Sequence, residues 1–481
     1  MSGIDLLLAS LPVLIVIGLL LARAQALIAV SAGIVVALVL SARFPLSGPR
    51  FSELAASLGW VTLAVAVIML GGIVLSNLLD RAGAQGVISD WLNLASGDER
   101  RAVLLIGLGV TPFMESMIGW GAGVIVGAPL LMRTGLGATR SCAVALLGLF
   151  LCPWGTLGSG FLVIAELGGL PPDVLGRWTA LFSLPVILVM GLAVYLVGIG
   201  RRGDPRILRE CLLVLLSLAA ALFAANAWIA PPLAGVLASA VGIAILLVLA
   251  RRTGARLPAF DARVRRALAP YAVLMVLILL GVAASRIPGL EPAAPLLGNP
   301  APWIVAALAL TPRLLGLGRA AVGAACARGA AQWWPVFLVT ALFLVFGVLL
   351  AANGMSAALA AAAVALGDWF SPLIPVLGAV FGYITTSNTA TAAVTTPGVL
   401  EIARALGIDT GLAVGALTAA AGSAIMASPA RIALAVGLST PHSADDAAPV
   451  DVRRVVRTVV GANLAVVALL VPMTTLLGGL A

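Results

Sequence analysis

The sequence predicts an all-α polytopic membrane protein of about 12–14 transmembrane helices with inverted repeats, broken helices and re-entrant hairpins. Three observations carry that reading. Of the 481 residues, 62% are apolar and only 10% charged, with a mean hydropathy of +1.16; a soluble domain cannot cover so much apolar surface with so few charges. Uncharged runs such as Leu6 to Leu21, Val61 to Leu75, Phe182 to Val197 and Leu464 to Leu477 approach, with their flanks, the roughly 20 residues a helix needs to cross a bilayer core of about 30 Å. Inside this apolar sequence lie two polar, small-residue clusters, Thr111-Pro112-Phe113-Met114-Glu115-Ser116-Met117-Ile118-Gly119-Trp120-Gly121 and Tyr383-Ile384-Thr385-Thr386-Ser387-Asn388-Thr389-Ala390-Thr391. Unsatisfied polar groups are not tolerated in hydrocarbon, so such breaks belong where protein or a water-filled cavity surrounds them.

In chain order, spans are expected near 5–22, 26–41 and 57–79, followed by an amphipathic linker that ends in Asp98-Glu99-Arg100-Arg101. The first run lacks a basic leader and an Ala-x-Ala exit, and reads as a span rather than a signal peptide. The stretch 102–133 is interrupted at Thr111 to Gly123, and 139–168 at Cys152-Pro153-Trp154-Gly155-Thr156-Leu157-Gly158-Ser159-Gly160, where proline and glycine break helices. Spans near 178–199, 211–228, 231–250 and 267–285 and a shorter one at 301–312 follow. Another apolar stretch begins at Trp333, an Ala-rich segment occupies 355–366, and 369–384 leads into the second polar break. The stretch 410–438 is interrupted at Ala427-Ser428-Pro429-Ala430-Arg431, and 456–478 closes the series.

All 28 basic residues are arginine, giving a net charge of +9. They concentrate in interhelical loops, where they set topology, which removes a nucleic-acid reading. Arg201, Arg202, Arg206 and Arg209 share one loop, and Arg251, Arg252, Arg256, Arg263, Arg265 and Arg266 another, so both are expected on the cytoplasmic side. Counting spans from them puts Arg313, Arg319, Arg328, Arg453, Arg454 and Arg457 inside and the N-terminus outside. Cys142, Cys152, Cys211 and Cys326 show no paired spacing and read as packing residues.

The segments from Gly135 and from Gly407 align at an offset of 272, which sets Glu115 on Ser387, Ser116 on Asn388 and Thr156 on Ser428. The chain is therefore expected to divide into a first membrane repeat (1–200), basic loops with two connecting spans (201–266) and a second repeat (267–481). Two broken-helix elements in corresponding halves point to a transport site near the midplane.

An ionised Glu115 in mid-membrane costs at least about 2.5 kcal/mol, which suits it to picking up and releasing a proton; the alternative is a structural carboxyl bonded to a neighbouring hairpin or paired with an arginine. Ser387, Asn388 and Thr389, with Thr391, offer hydroxyl, amide and freed backbone groups, and the half-helix after them presents N–H groups and a positive dipole end that suit a carboxylate. Alternatively these small residues serve close helix packing. Arg431 can hold a carboxylate bidentately or snorkel to an interface, as can Arg404. Trp154, Thr156 and Ser159 line the break in the first half, and Ser428 its counterpart in the second. Glu166 reads as a helix-end residue, and His442, the single histidine, falls in a loop and is not expected to relay protons. Metal-ligand spacings such as His-Glu-x-x-His are missing from the sequence and the one Asp-Asp pair, Asp445-Asp446, lies in a loop, which disfavours a membrane-embedded enzyme.

The order of spans, the linker and the two polar elements resemble the L-lactate permease family over nearly the whole chain. In that family the first element typically reads Glu-Gly-Ala-Ala-Gly-Phe-Gly-x-Pro: Glu115, Gly119 and Gly121 match, while Ser116 replaces a glycine, Trp120 a phenylalanine and Gly123 a proline. In the second, Ser387, Asn388 and Thr389 match a Gly-Ser-Asn-Thr-x-Ser-Asn pattern, while Thr386, Thr391 and Ala392 depart from it. The resemblance implies proton-coupled uptake of a short 2-hydroxymonocarboxylate, L-lactate with D-lactate and glycolate as near alternatives, across a bacterial cytoplasmic membrane, with Glu115 coupling the proton and Ser116, Gly119, Gly121, Ser387, Asn388, Thr389, Thr391, Arg431, Thr156, Ser428 and Trp154 around the substrate. No cofactor is expected beyond the proton gradient; a sodium-coupled carboxylate carrier is the alternative. The partners expected are the substrate and membrane lipid, and a homodimer built on framework spans is compatible with this architecture.

Overall fold

The computed structural model describes residues 3–200, 204–439 and 449–479. Among them every regular element is helical, as it must be for a single chain that satisfies its backbone inside hydrocarbon without a closed barrel. Among the described residues eleven helices are long and apolar enough to cross a membrane, or twelve when the bent pair Glu291–Leu297 and Pro300–Leu315 counts as one span. This is one below the expected range of about 12–14 or at its lower edge, because the interrupted stretches fold into pieces too short to cross: Ala122–Arg133, Ala138–Leu147 and Leu157–Gly168. Ala26–Ala42 falls short for the same reason. His442, Asp445, Asp446, Arg201 and Arg202 lie outside the described residues.

A succession of helices occurs twice. Gly48–Arg81 and Arg319–Ala352 are both 34 residues long, about 50 Å at 1.5 Å per residue, and so must tilt in a bilayer. They pack on each other, pinned by Trp333 Nε1 donating to the Ala66 carbonyl (3.1 Å) and Asn77 Nδ2 to Gln332 Oε1 (2.9 Å). Each is followed by a short helix (Ala84–Ser96, Met355–Ala363), a segment that breaks, and finally a 27-residue helix (Pro172–Gly198, Val452–Gly478). Pro205–Ala224, Ala234–Arg252 and Ala262–Ala284 lie between the two series in the chain.

The repeat is not in constant register. Ala138–Leu147 and Thr410–Ile425 begin 272 residues apart, as the sequence alignment expects, but the half-helices that follow the breaks, Ala122–Arg133 and Asn388–Ala405, begin 266 apart. The six-residue difference is the difference between half-helices of 12 and 18 residues. Ser387, immediately before its half-helix, therefore corresponds to Gly121, and the expected pairing of Ser387 with Glu115 is corrected.

The segments nearest the breaks are the most enclosed: 94% of the Glu99–Ile118 and Thr410–Ser439 windows are buried, against 17% for Gly3–Leu21. Peripheral helices expose Trp60, Trp228, Trp334 and Trp369, amphipathic rings suited to the membrane boundary. The scarce carboxylates are used locally: Asp98, Asp204, Asp261, Asp409 and Asp451 each accept a backbone N–H at a helix start, as N-caps do. A charged pair away from the breaks is deeply buried. Arg101 donates Nε to Glu210 Oε2 (2.9 Å) and Nη2 to Oε1 (2.8 Å), and Nη1 to the Ser96 carbonyl (3.2 Å). This bidentate pair ties the linker to Pro205–Ala224 and leaves neither charge unpaired.

Candidate functional site

The first break begins one turn before Glu115. Pro112 has no N–H and its ring crowds the carbonyl four residues back; a widened π turn, Leu105–Val110, precedes it, the kind of local expansion that occurs at functional sites. Thr111–Ile118 then stops at three consecutive left-handed residues, Gly119 (φ 70°), Trp120 (φ 56°) and Gly121 (φ 89°). Glycine adopts that backbone freely, whereas tryptophan does so only where its surroundings hold it. The reversal brings the start of Ala122–Arg133 round onto Glu115, whose Oε2 accepts from the N–H of Gly121 (3.1 Å) and of Gly123 (3.2 Å). These are the unpaired donors of a helix start, at its positive end. At residue 123 the family pattern carries proline, which has no N–H to give; Gly123 supplies that donor here. Its bare Cα also matters, because a Cβ there would stand 2.5 Å from the Thr111 carbonyl oxygen.

The second break is built from hydroxyls. Phe370–Thr385 ends at left-handed Thr386 (φ 57°), and Ser387 caps Asn388–Ala405 by accepting from the Ala390 N–H (3.3 Å). Thr385 and Thr391 share a hydrogen bond (2.8 Å), and Thr391 Oγ1 donates to the Ser387 carbonyl (2.9 Å). The bend is thus closed by its own side chains. Asn388 Nδ2, by contrast, is buried without a hydrogen-bond partner, and Thr389 Oγ1 reaches across to Ser159 Oγ (3.4 Å).

Arg431, in Pro429–Ser439, joins the two breaks. Its Nη2 lies 3.6 Å from Glu115 Oε1, with side chains 11% and 2% exposed, and its guanidinium rests on the bare Cα of Gly121. Glu115, Gly119, Trp120, Cys152, Ser159, Ser387, Asn388, Thr389 and Arg431 line a cavity of about 40 Å³, room for two or three waters. Arg431, Trp120, Thr386 and Ser387 also border an outer hollow of about 370 Å³ against Pro335, Val336, Val339 and Thr340 of the long second-half helix. Trp120 Nε1 is buried and unpartnered. The residues lining the cavity thus carry a guanidinium, an amide, an indole N–H and hydroxyls, with Glu115 the carboxylate among them, a donor-rich set suited to a small anion.

Of the residues expected from sequence, the structure brings Glu115, Gly119, Ser387, Asn388, Thr389 and Arg431 to this cavity. Gly121 and Thr391 stand just behind it, shaping the two bends. Trp154 does not line it: fully buried, it donates to Asn226 Oδ1 (3.1 Å) and packs on Phe161. Ser116 faces Gly235, and Ser428 is buried away from the cavity. Arg404 donates to the Gly168 carbonyl (3.1 Å) instead. The side chain of Thr156 lies outside the described residues. Sequence reasoning missed Trp120 as a donor and Cys152 as a neighbour of Glu115 (Sγ to Oε1 3.9 Å); the replacement of phenylalanine by a residue with an N–H was the available signal for the first.

A sequence model of the L-lactate permease family matches residues 5–288 and 292–443. No curated protein matches the chain. Among solved structures, the Alcanivorax borkumensis YdaH transporter is 15% identical over 90% of this chain and 88% of its own, with a TM-score of 0.47. Neisseria gonorrhoeae MtrF, described among antimetabolite efflux pumps, is 12% identical over 92% and 84%, with a TM-score of 0.45. The match to the family model spans both breaks and Arg431, and on it the chain belongs to the L-lactate permease family: it is a multi-pass membrane transporter.

Proposed function

We propose that this protein is a secondary active transporter that takes up a short 2-hydroxymonocarboxylate, L-lactate with D-lactate and glycolate as near alternatives, together with protons, and that it is not an enzyme. The observation that carries this reading is the meeting of the buried Glu115–Arg431 pair with the unpartnered donors of Asn388 and Trp120 in one small cavity. A guanidinium and an amide can hold a carboxylate, and the indole N–H or the Ser159 and Thr389 hydroxyls can meet a 2-hydroxyl. The arginine-rich loops support insertion in a bacterial cytoplasmic membrane with those loops inside. Movement of the broken-helix elements against the long helices would expose the cavity alternately to the two sides.

Uptake of labelled L-lactate into proteoliposomes, driven by an inward proton gradient with and without sodium, tests the reading. Proton-driven, sodium-indifferent uptake is expected. Uptake that requires sodium transfers the assignment to a sodium-coupled carrier, and uptake of neither lactate nor glycolate under either ion sinks it.

A further inference from the structure

We propose that Glu115 and the substrate carboxylate are alternative partners of Arg431, so that each anion crosses with one proton and without net charge; this deepens the function proposed above and rests on it. Among the described residues, the charged or titratable side chains in contact with Glu115 are Arg431, from Pro429–Ser439, and Cys152, from the turn Cys152–Trp154. Tyr271, on a helix that also approaches this region, meets Met114 and not the carboxyl. Glu115 therefore occupies the place an anionic ligand would take: its oxygens sit on the N–H groups of Gly121 and Gly123 and beside the guanidinium.

Charge accounting in this enclosed space gives two neutral states. Ionised Glu115 balances Arg431 when the cavity holds no substrate. When a proton bonds to a Glu115 oxygen, the ion pair is lost, and an incoming carboxylate, which stays ionised through the neutral range, restores the balance on Arg431. Proton without substrate leaves the cavity at +1, and substrate without proton leaves it at −1. Unpaired charge is disfavoured in the membrane interior, so only the doubly loaded and the empty forms are suited to crossing. Coupling then follows from competition for one guanidinium and needs no second ion site.

The test compares wild type, Glu115→Gln and Glu115→Asp in proteoliposomes, using labelled L-lactate and glycolate. In wild type the half-saturating concentration for counterflow exchange rises about tenfold per pH unit on the alkaline side, and a potassium diffusion potential at equal pH drives no accumulation. In Glu115→Gln, exchange persists at a half-saturation that no longer varies with pH, and a proton gradient no longer drives accumulation; Glu115→Asp keeps the pH dependence. Proton-driven accumulation by Glu115→Gln, potential-driven accumulation by wild type, or loss of all exchange in both variants overturns the competition. If wild type exchanges neither acid, the function proposed above falls and this inference with it, whereas exchange by wild type with an unaltered pH profile in Glu115→Gln overturns this inference alone.

Discussion

At the first break the freed helix start is met by a carboxylate from the same element, Glu115, six and eight residues before the N–H groups it accepts. At the second the start of Asn388–Ala405 is met by hydroxyls, Ser387 Oγ at the Ala390 N–H and Thr385 Oγ1 at the Ser387 N–H, and Asn388 Nδ2 beside them is left without a partner. The two halves share a sequence of elements but divide the chemistry. The first half brings an internal anion, the second brings open donors, and Arg431, also from the second, stands between them. Under the proposed function the cavity must accept an anion and also be stable without one, and such asymmetry serves both, since identical breaks would leave the donors either all filled or all unpaired.

The comparison is broken most severely at Arg431. Replacing it by glutamine leaves Glu115 buried without its counter-charge, a loss of about 3–5 kcal/mol; exchange of lactate is expected to fall at least about 100-fold, with a lower melting temperature in detergent. Arg431→Lys recovering full exchange would show that a point charge suffices. Next comes Asn388→Ala, which removes a donor from the second break only. A hydrogen bond to a charged group contributes about 1.5–3 kcal/mol, so half-saturation should rise about 10- to 100-fold while its dependence on pH is unchanged. A changed pH profile would mean that the two breaks do not divide the work as described. Gly121→Ala strains a left-handed backbone by about 1–2 kcal/mol and places a methyl against the Arg431 guanidinium; thermal unfolding should report the strain, and uptake should drop about tenfold. The smallest effect is expected for Trp120→Phe, which removes the indole N–H: a several-fold rise in half-saturation, about 1 kcal/mol, larger for 2-hydroxy acids than for acids without the hydroxyl if that N–H meets the hydroxyl.

Much of this architecture was legible in the chain. Runs such as Phe182 to Val197 must be helices in hydrocarbon, and Glu115 and Asn388 were conspicuous because polar groups in such surroundings require partners. The repeat was visible too, but its register was not, because a half-helix lengthened from 12 to 18 residues leaves no mark in alanine-rich sequence. Arg431 was ambiguous because pairing and snorkelling place arginine at similar positions in a sequence; only the fold brings it 3.6 Å from a carboxylate 316 positions earlier. Trp154 stands out by its place in the first-half break, where substrate contact and packing read alike in sequence; in the structure it is fully buried and donates to Asn226. Trp120, one residue from a matched glycine, is in sequence only a departure from a pattern, whereas in the structure its nitrogen is an unpaired donor.

Three cysteines are buried and Cys326 is exposed, while Cys152 borders the cavity beside Glu115. The native chain thus carries a reporter of its own opening. A small membrane-impermeant maleimide offered from one face would alkylate Cys152 only while that face is open, substrate should shield it, and comparing the rates of labelling from the two faces would show how long the transporter dwells facing each side.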